Sequence, residues 1–144
     1  MISLRIKKKF KVVLVEDDLM YAKSMEHFLS RNFEIDIDVF NTGKEAIFHL
    51  QNTPTPPDLI LLDFNLGDMD SDEIVEFIKK KKIRSKIIVV SGQTNKEVVS
   101  KLYKMGIFEY LPKGDFVTKS ISTSMTYLLE KYHSGNNFFR FVFS

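Results

Sequence analysis

The feature that most limits how this chain can fold is a series of short apolar runs separated by segments of helical periodicity. KVVLV (11–15), DLILLD (58–63) and KIIVVS (86–91) each carry consecutive apolar residues. Strands covered on both faces have this pattern, so the three runs predict central strands of a parallel sheet. EIDIDVF (34–40) alternates strictly and predicts a strand nearer an edge, and FEYLP (108–112) predicts a short fifth strand.

Segments of helical spacing follow each of these runs. They cover residues 19–31, 42–52, 71–82, 95–106 and 115–133. Strands that alternate with helices indicate an α/β fold, a doubly wound parallel sheet with right-handed crossovers. The length of 144 residues suits one domain, which we place at residues 1–133.

Composition excludes several classes of function. The chain has no cysteine, which rules out disulfides, thiol catalysis and zinc–thiolate sites, and its formal net charge is only +2. No apolar run approaches the roughly 18 residues of a membrane span, and the basic N-terminus lacks a signal-peptide core. We therefore expect a soluble, cytoplasmic protein without direct nucleic-acid or membrane partners.

Polar residues stand where the predicted strands end. Glu16 and Asp17 follow the first strand, Asp63 ends the third, Ser91 ends the fourth, and Lys113 follows the fifth. In an open parallel sheet the carboxyl ends of the strands form the ligand-binding edge. A single polar residue at a strand end is usually a loop residue, but this convergence predicts a site.

The residue types indicate the chemistry of that site. Crowded carboxylates repel one another unless a cation neutralises them, and oxygen ligands without His or Cys favour Mg²⁺ together with a phosphate oxygen. Lys113 suits an anionic group brought to the metal. This combination points to phosphoryl transfer, with a carboxylate as one candidate nucleophile.

Four segments in this order resemble the receiver domain of two-component response regulators. They are VVLVEDD (12–18), DLILLDFNLGDMDS (58–71), IIVVSG (87–92) and EYLPKG (109–114), and the resemblance covers about residues 10–133. It implies a chemotaxis-regulator-like, flavodoxin-like (βα)5 fold with strand order 2-1-3-4-5. It also implies a signalling phosphoprotein, not an enzyme beyond its own phosphorylation and dephosphorylation.

The resemblance assigns roles residue by residue. Asp63 would accept a phosphoryl group from a sensor histidine kinase or a histidine phosphotransfer protein, forming an aspartyl phosphate. Mg²⁺ would be held by the carboxylates of Asp17 and Asp63, by the backbone carbonyl of Asn65, and by Glu16 through water.

Further roles follow from the same resemblance. Ser91 would hydrogen-bond the phosphoryl group, Lys113 would pair with another phosphoryl oxygen, and Tyr110 would switch rotamer with that movement. Asn65 and Gln93 would tune the rate of self-dephosphorylation. The fourth helix, fifth strand and fifth helix would form the output face, which contacts a downstream protein, an attached output domain or a second copy.

The chain departs from the family pattern in two loops. Gly114 follows Lys113 where receivers usually have a cis proline, which predicts an altered loop. Gly67 and Ser71 stand where the family often has Pro and Gly.

Alternatives remain at this point. A phosphorylation-independent pseudo-receiver is open because of Gly114, and Asp18 competes with Asp17 for the metal. A phospho-aspartate phosphatase would need a second acid at the position of Asn65, which cannot transfer a proton.

Two other segments carry less information. The acidic run Asp68, Asp70, Asp72 resembles the start of a calcium loop but lacks its Gly and final Glu. The C-terminal segment 134–144 (SGNNFFRFVFS) is a Phe-rich tail or the start of a linker, and residues 135–137 are predicted to end the last helix. We expect this tail to pack on the domain, to pair with a second chain, or to begin a longer protein.

Overall fold

A computed structural model of the chain describes residues 8–92 and 95–143, and the side chains of 8–92 and 95–135. In this part of the chain the strands form one parallel sheet in the order β2-β1-β3-β4-β5. The strands are β1 (Phe10–Val15), β2 (Ile35–Phe40), β3 (Leu59–Asp63), β4 (Lys86–Ser91) and β5 (Glu109–Pro112). The helices are α1 (Leu19–Asn32), α2 (Gly43–Asn52), α3 (Ser71–Lys80), α4 (Lys96–Lys104) and α5 (Val117–Phe143). The predicted fold class and strand order are confirmed.

The burial of the strands follows from their position in the sheet. All five residues of β3 are buried between β1 and β4. β2 lies at one edge of the sheet and keeps the polar side of its alternating sequence exposed at Asp36 and Asp38. A strand covered on both faces has no side on which a polar residue can reach water, which is why the central runs are continuous and the edge run is not.

The sheet separates two hydrophobic clusters. Val12 and Leu14 of β1 face the cluster formed with α1 and α5. Val13 and Val15 face the opposite cluster, formed with α2, α3 and α4. Because each fully buried aliphatic side chain contributes roughly 1.5–3 kcal/mol, helix cover on both faces is what stabilises the sheet.

The register brings the strand ends to one edge. Val15 pairs with Leu62, and Ser91 pairs with Pro112, so the carboxyl ends of these strands finish side by side. The turns that follow β1, β3 and β5 therefore open at a common edge, where the predicted site residues stand.

The last helix is longer than the sequence predicted. Residues 135–137 were expected to end it, but the backbone remains helical to Phe143, so that prediction is wrong. Glycine costs about 1 kcal/mol inside a helix, yet no proline interrupts the segment, and local propensity is a weak signal. The predicted packing or pairing of the Phe-rich tail concerns side chains outside the described ones. None of the described helices has both the length and the apolar character needed to cross a membrane.

Candidate functional site at the carboxyl edge of the sheet

Glu16 begins the turn after β1, and two hydrogen bonds tie its backbone to the end of β2. Its backbone N–H donates to the Phe40 carbonyl at 3.0 Å, and its carbonyl accepts from Asn41 Nδ2 at 3.0 Å. The residue is only 1% exposed. The turn therefore buries a carboxylate at the edge of the sheet.

The two aspartates after Glu16 have different tasks. Asp18 is the N-cap of α1, and its Oδ1 accepts the Tyr21 N–H at 3.0 Å. Asp17 instead joins Glu16 and Asp63, and one carboxylate oxygen of each of these three residues lies within 4.8 Å of the others. The carboxylate of Asp18 is thus used to cap α1, and Asp17 is the aspartate that reaches the acidic group.

Lys113 reaches this group from the turn after β5. Its Nζ lies 2.7 Å from Glu16 Oε1 and 3.3 Å from Asp63 Oδ1. Its backbone N–H donates to the Ser91 carbonyl at 2.8 Å, which ties the turn after β5 to the end of β4. The glycine that follows does not displace the lysine, and a Cβ placed at Gly114 would meet no atom within 4 Å.

The charges in the group are not balanced. Burial, and then a hydrogen bond shared with Asp63, raise the pKa of Glu16 to about 7, although Lys113 acts in the opposite direction. Partial burial opposes the charge of Lys113, but its carboxylate partners outweigh this and raise its pKa above the ordinary value. One ammonium therefore faces three carboxyl groups.

This donor set fits a small divalent cation. The group consists of carboxylate oxygens, the ligands that Mg²⁺ and Ca²⁺ prefer, and Asp17 is exposed on its open side. A cation there would offset the repulsion that Lys113 alone does not neutralise. Among the described side chains, those of Glu16, Asp17 and Asp63 are placed to hold it.

Ser91 and Tyr110 lie on the strands that flank the group. Ser91 ends β4 and is 3% exposed. Tyr110 is half-buried on β5, and its backbone N–H donates to the Tyr103 hydroxyl at 2.9 Å. Ser91 thus stands at the carboxyl edge, whereas Tyr110 lies inside β5 opposite Val89, and the roles that the resemblance implies for both stay predictions.

Asn65 lies in the loop after β3. It is exposed, its backbone forms an isolated bridge with Asp70, and its Oδ1 accepts the Gly67 N–H at 3.4 Å. Gly67 has φ +79°, and a Cβ there would lie 3.5 Å from Asp17 Oδ2, so the loop runs directly beside the acidic group. Gln93, the other predicted rate-tuning residue, lies outside the described residues.

Sequence reasoning missed two residues near the site. The ring of Tyr21 lies under Lys113 Nζ, with 4.3 Å between the nitrogen and the ring centroid, and its buried hydroxyl has no hydrogen-bond partner among the described residues. Its place four residues after Asp17 was the available signal. Asp68 hydrogen-bonds the start of α2, a contact across 25 residues that leaves no local pattern.

Comparisons with known proteins identify the family of the chain. Residues 12–124 match the family model described as "Response regulator receiver domain". The chain is 28% identical over 127 residues to the Bacillus subtilis (strain 168) protein named "Probable C4-dicarboxylate response regulator DctR". That alignment covers 88% of this chain and 53% of the relative. The chain spans about half the length of the curated relatives it matches.

Solved structures share the fold. A response regulator receiver domain protein (CheY-like) from Methanospirillum hungatei JF-1 superposes with a TM-score of 0.77 at 21% identity. The superposition covers 88% of this chain and 99% of that one. The phosphorylated cyanobacterial phytochrome response regulator RcpA gives a TM-score of 0.69 at 26% identity, covering 78% of this chain and 85% of its own.

Proposed function

This chain belongs to the response regulator receiver domain family, and from that membership we propose that it is a signalling module that accepts a phosphoryl group on Asp63. The observation that carries the proposal is the position of Asp63 beside Lys113 and two further acids at the open edge of the sheet. A carboxylate in such a setting can act as a nucleophile toward phosphorus, because the nearby cation offsets the charge of the incoming group.

The transfer step follows from this arrangement. A carboxylate oxygen of Asp63 forms a bond to the phosphorus of a phosphohistidine, and the nitrogen–phosphorus bond breaks with its electron pair returning to the imidazole. The product is an aspartyl phosphate. Mg²⁺, when bound by Asp17 and Asp63, by the Asn65 carbonyl, and by Glu16 through water, would supply charge neutralisation for the transferring group.

Other residues of the chain hold the modified state. Lys113 moves its hydrogen bond from a carboxylate to a phosphoryl oxygen, and the Ser91 hydroxyl donates to another. This gives the phosphorylated form contacts that the unmodified form lacks, and Tyr110 follows the change. Asn65 and Gln93 tune the attack of water on the acyl phosphate, which returns Asp63 to its free carboxylate.

The partners follow from the same proposal. The donor is a sensor histidine kinase or a histidine phosphotransfer protein, and the expected compartment is the cytoplasm. The face formed by α4, β5 and α5 carries the signal to a downstream protein, an attached output domain or a second copy of the chain. The proposed module has no catalytic activity beyond its own phosphorylation and dephosphorylation.

A phosphorylation-independent pseudo-receiver is the second candidate, because Gly114 departs from the family pattern. A phospho-aspartate phosphatase is less well supported. The position where such an enzyme carries its second acid is Asn65, whose amide cannot serve as an acid or base.

The test is intact-mass measurement after incubation with Mg²⁺ and a small acyl phosphate. We expect wild type to gain one phosphoryl group and Asp63→Asn to gain none. Asp38→Asn, on the exposed side of β2, removes an equivalent carboxylate away from the site and should behave as wild type. If the wild-type protein forms no adduct with the acyl phosphate, the result would favour the pseudo-receiver instead.

A further inference from the structure

The loop between β3 and α3 lies against the acidic group. Residues 64–70 leave β3 after Asp63 and return to α3, closed by the Ser71 N–H donating to the Phe64 carbonyl at 2.8 Å. Within the loop, the Leu66 N–H donates to the Met69 carbonyl at 3.3 Å. Any movement of this loop would displace the Asn65 carbonyl relative to Asp63.

The loop carries a glycine at the point where it passes Asp17. Gly67 has φ +79°, a left-handed angle that a proline ring cannot adopt. Glycine loses more conformational freedom on ordering than any other residue. The chain therefore lacks the rigidity that a proline would give this loop, so a contact with a neighbouring element can restrain it beyond its own backbone hydrogen bonds.

That contact is made by Asp68. Its Oδ1 accepts the Gly43 N–H at 2.9 Å and its Oδ2 accepts the Lys44 N–H at 3.0 Å. The next amide of α2, that of Glu45, donates to the Thr42 hydroxyl at 3.1 Å. The first three amides of the helix, which have no partner within it, are thus satisfied, two of them by a carboxylate from the β3–α3 loop.

Two further features strengthen the contact. Burial opposes the charge of Asp68, but hydrogen bonds from the Gly43 and Lys44 amides and from its own amide, together with the charge of Lys44, outweigh burial and lower its pKa below the ordinary value. Next to it, Met69 packs on Gly43 so closely that an added Cβ would lie 2.4 Å from Met69 Cγ. The absence of a side chain at position 43 is therefore what lets the loop approach α2.

We propose that Asp68 is a positioning residue for the metal site: by binding the first two amides of α2, it fixes the loop that presents Asn65 to the acidic group. This inference rests on the proposed function, because Asn65 is there a ligand of Mg²⁺. Asp68 itself does not touch the metal or the phosphoryl group. It takes over the restraint that Gly67 does not provide.

The test compares two alanine variants from the same loop. Asp68→Ala removes the contact with α2, whereas Asp70→Ala removes the same charge two residues away, from a side chain that makes no capping hydrogen bond. Mg²⁺ affinity is measured by calorimetry without any phosphodonor, and amide hydrogen exchange is followed at Gly43 and Lys44. Asp68→Asn, nearly equal in size to the native residue, is the second variant if the alanine protein does not fold.

We expect Asp68→Ala to bind Mg²⁺ about tenfold more weakly, in line with other residues that orient metal ligands without touching the metal. Its Gly43 and Lys44 amides should exchange faster, while Asp70→Ala should change affinity by less than about twofold, a charge effect screened by salt. Faster exchange with unchanged affinity would overturn the positioning role and leave the proposed function intact. Equal losses in both variants would reduce the effect to charge alone and also overturn it. A wild-type protein that binds no Mg²⁺ would overturn the metal site itself.

Discussion

The ammonium of Lys113 lies closer to Glu16 than to Asp63. The distances are 2.7 Å to Glu16 Oε1 and 3.3 Å to Asp63 Oδ1, and Glu16 is 97 residues away along the chain. The lysine is therefore bound mainly by the buried glutamate. Asp63 keeps the weaker contact, so in the proposed function it is the acid that an incoming phosphoryl group separates from Lys113 more easily.

The first prediction concerns stability and pH. Because the pKa of Glu16 is raised from 4.5 to about 7, the folded protein binds more protons than the unfolded chain between these values. Stability contributed by the protonated form is then lost as pH rises through this window. Glu16→Gln mimics the protonated form at every pH. In EDTA, the unfolding free energy of the variant should therefore equal that of wild type near pH 4.5 and exceed it by at most about 3 kcal/mol at pH 8.

Urea unfolding at several pH values measures this difference. Glu76→Gln, on an exposed position of α3, is the matched control and should show no such pH dependence. Added Mg²⁺ should favour wild type over Glu16→Gln at pH 8, because the metal stabilises the ionised group. A difference between the proteins that stays constant from pH 4.5 to 8 would contradict the assignment.

The second prediction concerns the aromatic ring under Lys113. Tyr21→Phe keeps the ring and removes a buried hydroxyl that has no partner among the described residues, so thermal stability should be equal or higher. Tyr21→Leu removes a cation–π contact of about 1 kcal/mol and should slow phosphorylation by a small donor about fivefold. Mass spectrometry measures the rate of adduct formation. If the two variants form the adduct at equal rates, the ring does not position the lysine.

The third prediction tests the close packing at the start of α2. Gly43→Ala places a Cβ 2.4 Å from Met69 Cγ and 2.6 Å from its Sδ, so the side chain must move, and we expect a loss of about 1–2 kcal/mol. Gly114→Ala meets no neighbouring atom and should stay within about 0.5 kcal/mol of wild type. In a Met69→Ala background, Gly43→Ala should cost less unfolding free energy than it does in the wild-type background. Strict additivity in urea unfolding would mean that the two residues do not compete for space.

The fourth prediction concerns the family's usual residue in the β3–α3 loop. Gly67→Pro cannot keep φ +79°, since the ring fixes φ near −65°, and should cost about 2 kcal/mol or more of unfolding free energy. Gly67→Asn should cost less than about 1 kcal/mol, because asparagine tolerates left-handed angles. Urea unfolding midpoints of the two variants and wild type measure these losses. A proline variant as stable as wild type would show that the loop has another accessible conformation.

Much of the fold could be predicted because it depends on short periodicities. The four consecutive apolar residues before Asp63 predicted a strand covered on both faces, and the alternation in β2 predicted an edge, since a side chain on a strand faces either the core or water. Local signals were weaker at the end of α5. Residues 135–137 indicated a helix end, yet the helix continues, because a few residues of low propensity do not end a helix without a competing structure.

The sequence by itself determined which segments become strands and which polar residues stand at their carboxyl ends, because apolar periodicity and strand termini are written within a few neighbouring residues. Only the tertiary structure brought Asp17, and not Asp18, into the acidic group, paired Lys113 with Glu16, and joined Asp68 to the start of α2. These contacts join residues that are from 25 to 97 positions apart in the chain. The packing of helices on both faces of the sheet sets those distances, and no local pattern encodes them.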